Sequence, residues 1–171
     1  MSYDLDLFEL PPNADPEEIL AEITERADRR AMTSTHDESL RQRMLKLAEA
    51  LQQANPEFEV SDVISGGGLE LNGPEDSNGI QIMLFDESAG VSVPYWHKGE
   101  KAYEVFREIW TYLRIIEEKA GYVTYDSQVG HVLDLDNDFD DVVGTYAPIS
   151  RDLSRMIAGT KVEKRRWWQF W

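Results

Sequence analysis

The residues best suited to chemistry in this sequence of 171 residues are its three histidines, His36, His97 and His131. A zinc site or an acid–base site needs at least two such side chains to converge. In the sheet that the sequence predicts, His97 leaves the carboxyl end of one strand, and His131 lies beyond the carboxyl end of an antiparallel strand. The sequence therefore predicts no three-histidine site. An enzyme or small-ligand binder that uses His97 with nearby carboxylates stays as an alternative.

A run of alternating carboxylates, Asp134-Leu-Asp-Asn-Asp-Phe-Asp-Asp141, is the second candidate for chemistry. An EF-hand loop needs glycine at its sixth position and glutamate at its twelfth. Those positions hold Phe139 and Thr145 here. The pattern favours a solvated acidic loop over a specific calcium site, and it leaves open whether the run binds a cation weakly.

Motifs for phosphate binding and for nucleophilic catalysis are missing. The glycine-rich stretch Ser65–Asn78 lacks the Lys-Ser/Thr of a P-loop and the spacing of a dinucleotide fingerprint. The chain has no cysteine and no Gly-x-Ser-x-Gly elbow. We predict no catalytic residue, no metal ligand and no cofactor, and we interpret the protein as non-enzymatic.

The net charge of −16 is unevenly distributed. Residues 161–171 sum to +3, so the other 160 residues must sum to −19 to give that total. A body this acidic repels nucleic acid, which is bound through clustered Lys and Arg, and it attracts a basic protein. No apolar run is long enough to span a bilayer, and the N-terminus is acidic where a signal peptide is basic. We expect a bacterial-type cytoplasmic protein.

The elements that must position these residues follow from hydrophobic periodicity. An alternating strand (3–8) precedes two amphipathic helices (15–30 and 37–55), and the stretch 79–126 indicates a two-strand hairpin, a helix from about 100 to 120 and a final strand. This order predicts an α+β fold with a ferredoxin-like (split βαβ) antiparallel sheet, the helices on one face, and the first strand central and parallel to the strand Val91–Trp96. We assign residues 1–136 to this domain. Residues 137–171 form an extension of acidic loop, helix and basic-aromatic tail.

The second face of the predicted sheet exposes Met83, Phe85, Trp96 and Tyr122 together. Such an apolar patch indicates a cover, a homodimer or a partner. We expect the segment beyond residue 137 to cover this face, and we take Met83, Phe85 and Trp96 as candidate partner-binding residues.

The tail Lys164–Trp171 combines cations with aromatic side chains. Trp and Arg dominate binding hot spots, and Trp also favours membrane interfaces. We predict that this tail folds back on the acidic body or docks on a protein partner, in preference to the alternative of a membrane surface. Its candidate partner-binding residues are Arg165, Arg166, Trp167, Trp168, Phe170 and Trp171.

Four short sequence segments carry a family resemblance, which covers about residues 1–135. They are Ser2-Tyr-Asp-Leu, Gly79-Ile-Gln-Ile, Pro94-Tyr-Trp-His97 and Gly121-Tyr-Val-Thr-Tyr-Asp-Ser-Gln128. They resemble a family of small bacterial proteins without an established activity, in which Ser127 is usually proline. Some of these look similar to immunity proteins of toxin systems, which are often acidic and cytoplasmic. The resemblance implies no site residues. Together with charge, it predicts a non-enzymatic module that binds a protein, plausibly a basic toxin-like one.

Overall fold

The computed structural model describes residues 2–33, 38–63, 67–74 and 77–148. In these ranges the chain forms an α+β fold with a seven-stranded sheet. Its elements are β1 Ser2–Phe8, α1 Pro16–Thr33, α2 Glu38–Ala54, β2 Glu59–Asp62, β3 Leu69–Asn72, β4 Gln81–Leu84, β5 Ser88–Pro94, α3 Glu100–Ala120, β6 Val123–Asp126, β7 His131–Val132 and α4, residues 139–148.

The sheet has the order β2-β3-β4-β5-β1-β6-β7, and every neighbouring pair is antiparallel. The predicted antiparallel α+β class is confirmed. The prediction that β1 and the strand following the hairpin run parallel is wrong, because Ser2 lies opposite Pro94 and Phe8 opposite Ser88. The tight hairpin at Asp86 and Glu87 reverses the chain between β4 and β5. Since β4 runs in the same direction as β1, β5 must run against it.

The main core lies between one face of the sheet and helices α2 and α3. Tyr3, Leu5 and Leu7 of β1 are buried there. They contact the buried side chains of α3. Six of these follow the i, i+3, i+4 spacing of the sequence, namely Ala102, Val105, Phe106, Ile109, Leu113 and Ile116, and Trp110 and Tyr112 are buried beside them. The helix ends at Gly121, whose φ of 72° is left-handed and whose N–H donates to the Glu117 carbonyl at 2.9 Å.

Helix α1 packs on the opposite face, so the prediction that all helices share one face is wrong. Phe8 follows Leu7 in β1 and therefore points to the other side of the sheet. It forms a second buried cluster with Ile23 of α1 and Tyr125 of β6. The apolar stripe of α1 packs on this side of the sheet because Phe8 and Tyr125 form an apolar surface there.

The segment after β7 contributes to the same core. Val142, Val143 and Tyr146 of α4 are fully buried. Tyr146 stacks on Tyr95, with ring centroids 5.2 Å apart, and its hydroxyl donates to the Pro94 carbonyl at 2.5 Å. α4 thus closes the end of the core on the side of the sheet that carries α2 and α3.

Candidate functional site: an acidic sheet face

The candidate site lies on the face of the sheet opposite α2 and α3, across five strands. We call it the acidic face. Strand register brings side chains of paired residues to the same side of a sheet. Two adjacent rows define the face: Asp4, Ser92, Gln81, Asn72 and Glu59, and beside them Asp6, Gly90, Met83, Glu70 and Ser61.

Carboxylates stand at both borders of this face. Asp4 and Asp6 lie on β1, and Glu70 and Glu59 lie on β3 and β2. The two rows contain no Lys, Arg or His. Since neighbouring strands lie about 4.8 Å apart, the acidic borders are separated by roughly 15–19 Å. The floor between them is neutral and shallow, because β5 contributes only Gly90 and Ser92.

Among the ion pairs of the described residues, none includes Asp4 or Asp6 at the β1 border of the face. Burial raises the pKa of the Asp6 carboxyl above its usual range, and the nearby carboxylates Asp4 and Asp126 raise it further. At the other border, the Gln81 amide donates to Glu70 and, at 3.2 Å, to the Asn72 side chain. A cation placed beside Asp4 and Asp6 would relieve the repulsion between these carboxylates.

The apolar patch predicted for this face does not form as one surface. Met83 lies on the face and is half-buried, but Phe85 and Tyr122 line a cavity on the side of α2 and α3. The prediction that Tyr122 lies on this face is wrong, because Thr124, two residues further along, pairs with Leu7 of the main core. Trp96 follows β5 in a turn and is 61% exposed. Its ring lies against Gly79, next to Pro94, so it borders the acidic face at that end.

Sequence reasoning found half of the acidic borders. Alternation along β1 places Asp4 and Asp6 together, away from Tyr3 and Leu5. Glu59 and Glu70 were missed because the order of elements predicted from the sequence contains neither β2 nor β3. The alternation of Leu69 and Leu71 with polar neighbours is the signal that could have found β3.

The burial and the contacts of His97 indicate a structural role. The residue is 7% exposed, and its backbone N–H donates to the Tyr146 hydroxyl at 3.2 Å. Its ring Nε2 lies 2.7 Å from the Asn78 carbonyl oxygen. The Trp96 Nε1 lies 2.9 Å from the same ring nitrogen, which either accepts from Trp96 or donates to the Asn78 carbonyl, according to the tautomer. Burial lowers the pKa of His97, which favours the neutral ring.

The described histidines do not converge. His131 is exposed, with its Nε2 3.2 Å from the Asp138 carboxylate, and His36 lies outside the described residues. In the described part of the chain, no three His, Cys, Asp or Glu residues are grouped so that they could hold a metal ion.

The acidic run forms hydrogen bonds to its own backbone. Asp134 accepts from the Asp136 N–H at 2.9 Å and from the Asn137 amide at 2.6 Å. Asp138 accepts from the Asp134 N–H at 2.8 Å. Arg114 of α3 ties the run to the core through Asp136 at 2.8 Å. These carboxylates shape the turn that leads into α4.

The aromatic tail cannot be placed on the sheet, since Arg165, Arg166, Trp167, Trp168, Phe170 and Trp171 lie outside the described residues. Among the helices that the structure describes, none is both long and apolar enough to traverse a bilayer. Comparisons with protein-family models, with curated proteins and with solved structures find no match to this chain.

Proposed function

We propose that the protein is a non-enzymatic binding module that holds a basic segment of another protein on its acidic face. The observation that carries this proposal is the pair of rows with carboxylates at both borders, Asp4 and Asp6 on one side and Glu59 and Glu70 on the other. The resemblance to immunity-type proteins, which act on a protein partner, agrees with it.

The geometry of the face suggests how such a segment is held. Cationic side chains of the partner pair with the two acidic borders, and a small or apolar residue lies over Gly90 and contacts Met83. Methionine adapts its shape to different apolar partners. The net charge of −16 accelerates the encounter with a basic partner.

A charge-reversal experiment tests this function. The probe is a synthetic peptide with two lysines on each side of a central leucine, titrated by calorimetry at low and moderate salt. We expect the double variant Asp4→Lys, Glu70→Lys to bind about tenfold more weakly or worse, because it places cations at both borders.

The matched control is Glu49→Lys, Glu104→Lys, which makes the same change in net charge at exposed positions of α2 and α3, on the other side of the sheet. The control should stay within about twofold of the natural chain once salt screens long-range attraction. Equal losses in both double variants, or binding that does not depend on salt, would contradict a defined acidic face.

We also propose a ferredoxin-like core made of β4, β5, β1 and β6, to which β2, β3, β7 and α1 are added. Two features support it: the order β4-β5-β1-β6 within the sheet, and the helical connections from β1 towards β4 and from β5 to β6.

A further inference from the structure

A cavity of about 230 Å³ opens between α2, the end of α3 and the β4–β5 hairpin. It lies on the side of the sheet opposite the acidic face. Its floor is apolar and consists of Met44 and Leu47 from α2, Phe85 from the hairpin, Ala120 from α3, and Tyr122, which lies between α3 and β6. Concave apolar sites with a few polar groups are where small molecules bind.

The rim of this cavity is cationic. Arg43 and Lys46 are neighbours on α2 at i and i+3, and Lys119 comes from the last turn of α3. The chain has only 17 Lys and Arg against 33 Asp and Glu, so three cations at one opening run against its composition.

The charges of Arg43 and Lys46 are available to a ligand. Neither residue makes an ion pair or side-chain hydrogen bond with another residue in the described ranges. Lys119 pairs with its neighbour Glu118 at 2.9 Å on the exposed surface. The lining also includes a carboxylate, Asp86, which already has an interaction partner.

Tyr122 offers a hydrogen-bonding group to the same cavity. It is only 8% exposed and lines the cavity, yet its hydroxyl has no hydrogen-bond partner among the described residues. No fully buried side-chain oxygen or nitrogen in that part of the chain lacks a partner, so this hydroxyl must be open to solvent. Burial raises the pKa of Tyr122, Arg43 lowers it, and the nearby carboxylates Glu87, Glu9 and Asp86 raise it further. The hydroxyl therefore keeps its proton and can donate it in a hydrogen bond.

We propose that this cavity binds a small monocarboxylate with an aromatic or short alkyl body. The body rests on Phe85, Met44 and Leu47, and the carboxylate meets Arg43 and Lys46 at the rim. The Arg43 guanidinium can hold a carboxylate in a two-pronged hydrogen-bonded pair. The Tyr122 hydroxyl donates to the same group. A single negative charge suits the rim better than a dianion, because Asp86 is close.

The test uses phenylacetate and octanoate as probes. Phenylacetamide is the uncharged analogue of phenylacetate and serves as the control ligand. Binding to the full chain is measured by calorimetry and by the chemical shifts of Tyr122. We expect both acids to bind and the amide to bind about tenfold more weakly, since it lacks the charge that the rim recognises. Acetate and inorganic phosphate, which lack an apolar body, should not compete.

Two pairs of variants separate this site from general charge effects. Arg43→Gln, Lys46→Gln should lose about tenfold in affinity for phenylacetate. The control Lys98→Gln, Arg107→Gln removes the same charge from exposed positions away from the cavity and should bind normally. Filling the floor with Ala120→Leu should abolish binding while circular dichroism stays native.

The proposal is overturned if phenylacetamide binds as well as the acid, if phosphate competes equally, or if both double variants lose affinity alike. It does not depend on the acidic face. The Asp4→Lys, Glu70→Lys protein should bind phenylacetate as the natural chain does.

Discussion

Single buried polar side chains join distant parts of this chain. Asp126 is fully buried and accepts hydrogen bonds from the Tyr3 hydroxyl and, at 2.8 Å, from the Gln128 N–H. Alternation predicted that Tyr3 is buried, but the sequence could not predict its partner, because the two residues are 123 positions apart. The same holds for His97 and Tyr146. Only the folded chain brings such pairs together.

His97 makes the stability of the protein depend on pH. Its pKa is lowered in the folded chain, chiefly by burial, whereas the unfolded chain has the usual value of about 6.5. As pH falls below that value, His97 binds a proton in the unfolded state but stays neutral in the folded state. The contribution of His97 is therefore complete above about pH 6.5 and decreases below it.

We expect His97→Gln to flatten the fall in the free energy of unfolding between pH 7.5 and pH 5.5. Urea denaturation at several pH values measures this slope. Thr111→Gln is the matched control, because it places the same side chain at an exposed position that does not titrate, and it should keep the natural slope. An unchanged slope in His97→Gln would contradict the role assigned to burial.

At the scale of elements, the sequence predicted which residues of a helix are buried better than where the helix packs. The start of α1 and its stripe of Ile19, Leu20 and Ile23 follow from capping and periodicity. The amphipathic stripe of a helix does not by itself determine on which face of the sheet the helix packs. That choice depends on Phe8 and Tyr125, which become neighbours only when β1 pairs with β6. β3 was missed because its four residues lie between glycine-rich turns.

Ile23 tests whether this second cluster holds α1 in place. Ile23→Ala should lower the free energy of unfolding by about 2 kcal/mol, since truncating a buried isoleucine typically costs 2–5 kcal/mol and this cluster is small. Chemical denaturation measures the change. Glu18→Ala, on the exposed side of α1, should stay within about 0.5 kcal/mol of the natural chain. Equal effects of the two substitutions would show that α1 is not held by this cluster.

At the scale of the whole molecule, the charge distribution argues against the membrane alternative for the tail. Residues 161–171 carry +3, and the rest of the chain is strongly acidic. An anionic membrane that attracts the tail also repels the body at close approach.

We therefore expect the intact chain and a chain ending at Lys161 to stay alike in the supernatant when sedimented with vesicles of phosphatidylserine and phosphatidylcholine. Neutral phosphatidylcholine vesicles are the control. Pelleting that needs both the tail and the anionic lipid would contradict this expectation and favour the membrane alternative.

The two outermost strands, β2 and β7, determine how another chain can approach the sheet. β2 is four residues long, exposes Glu59 and Asp62, and is bridged from the side by Arg41 at 2.7 Å. β7 has only two residues. Short, charged edges resist the addition of a further strand. Both edges therefore disfavour backbone pairing. The binding that we propose depends on side chains, and the partner segment need not be extended to be held.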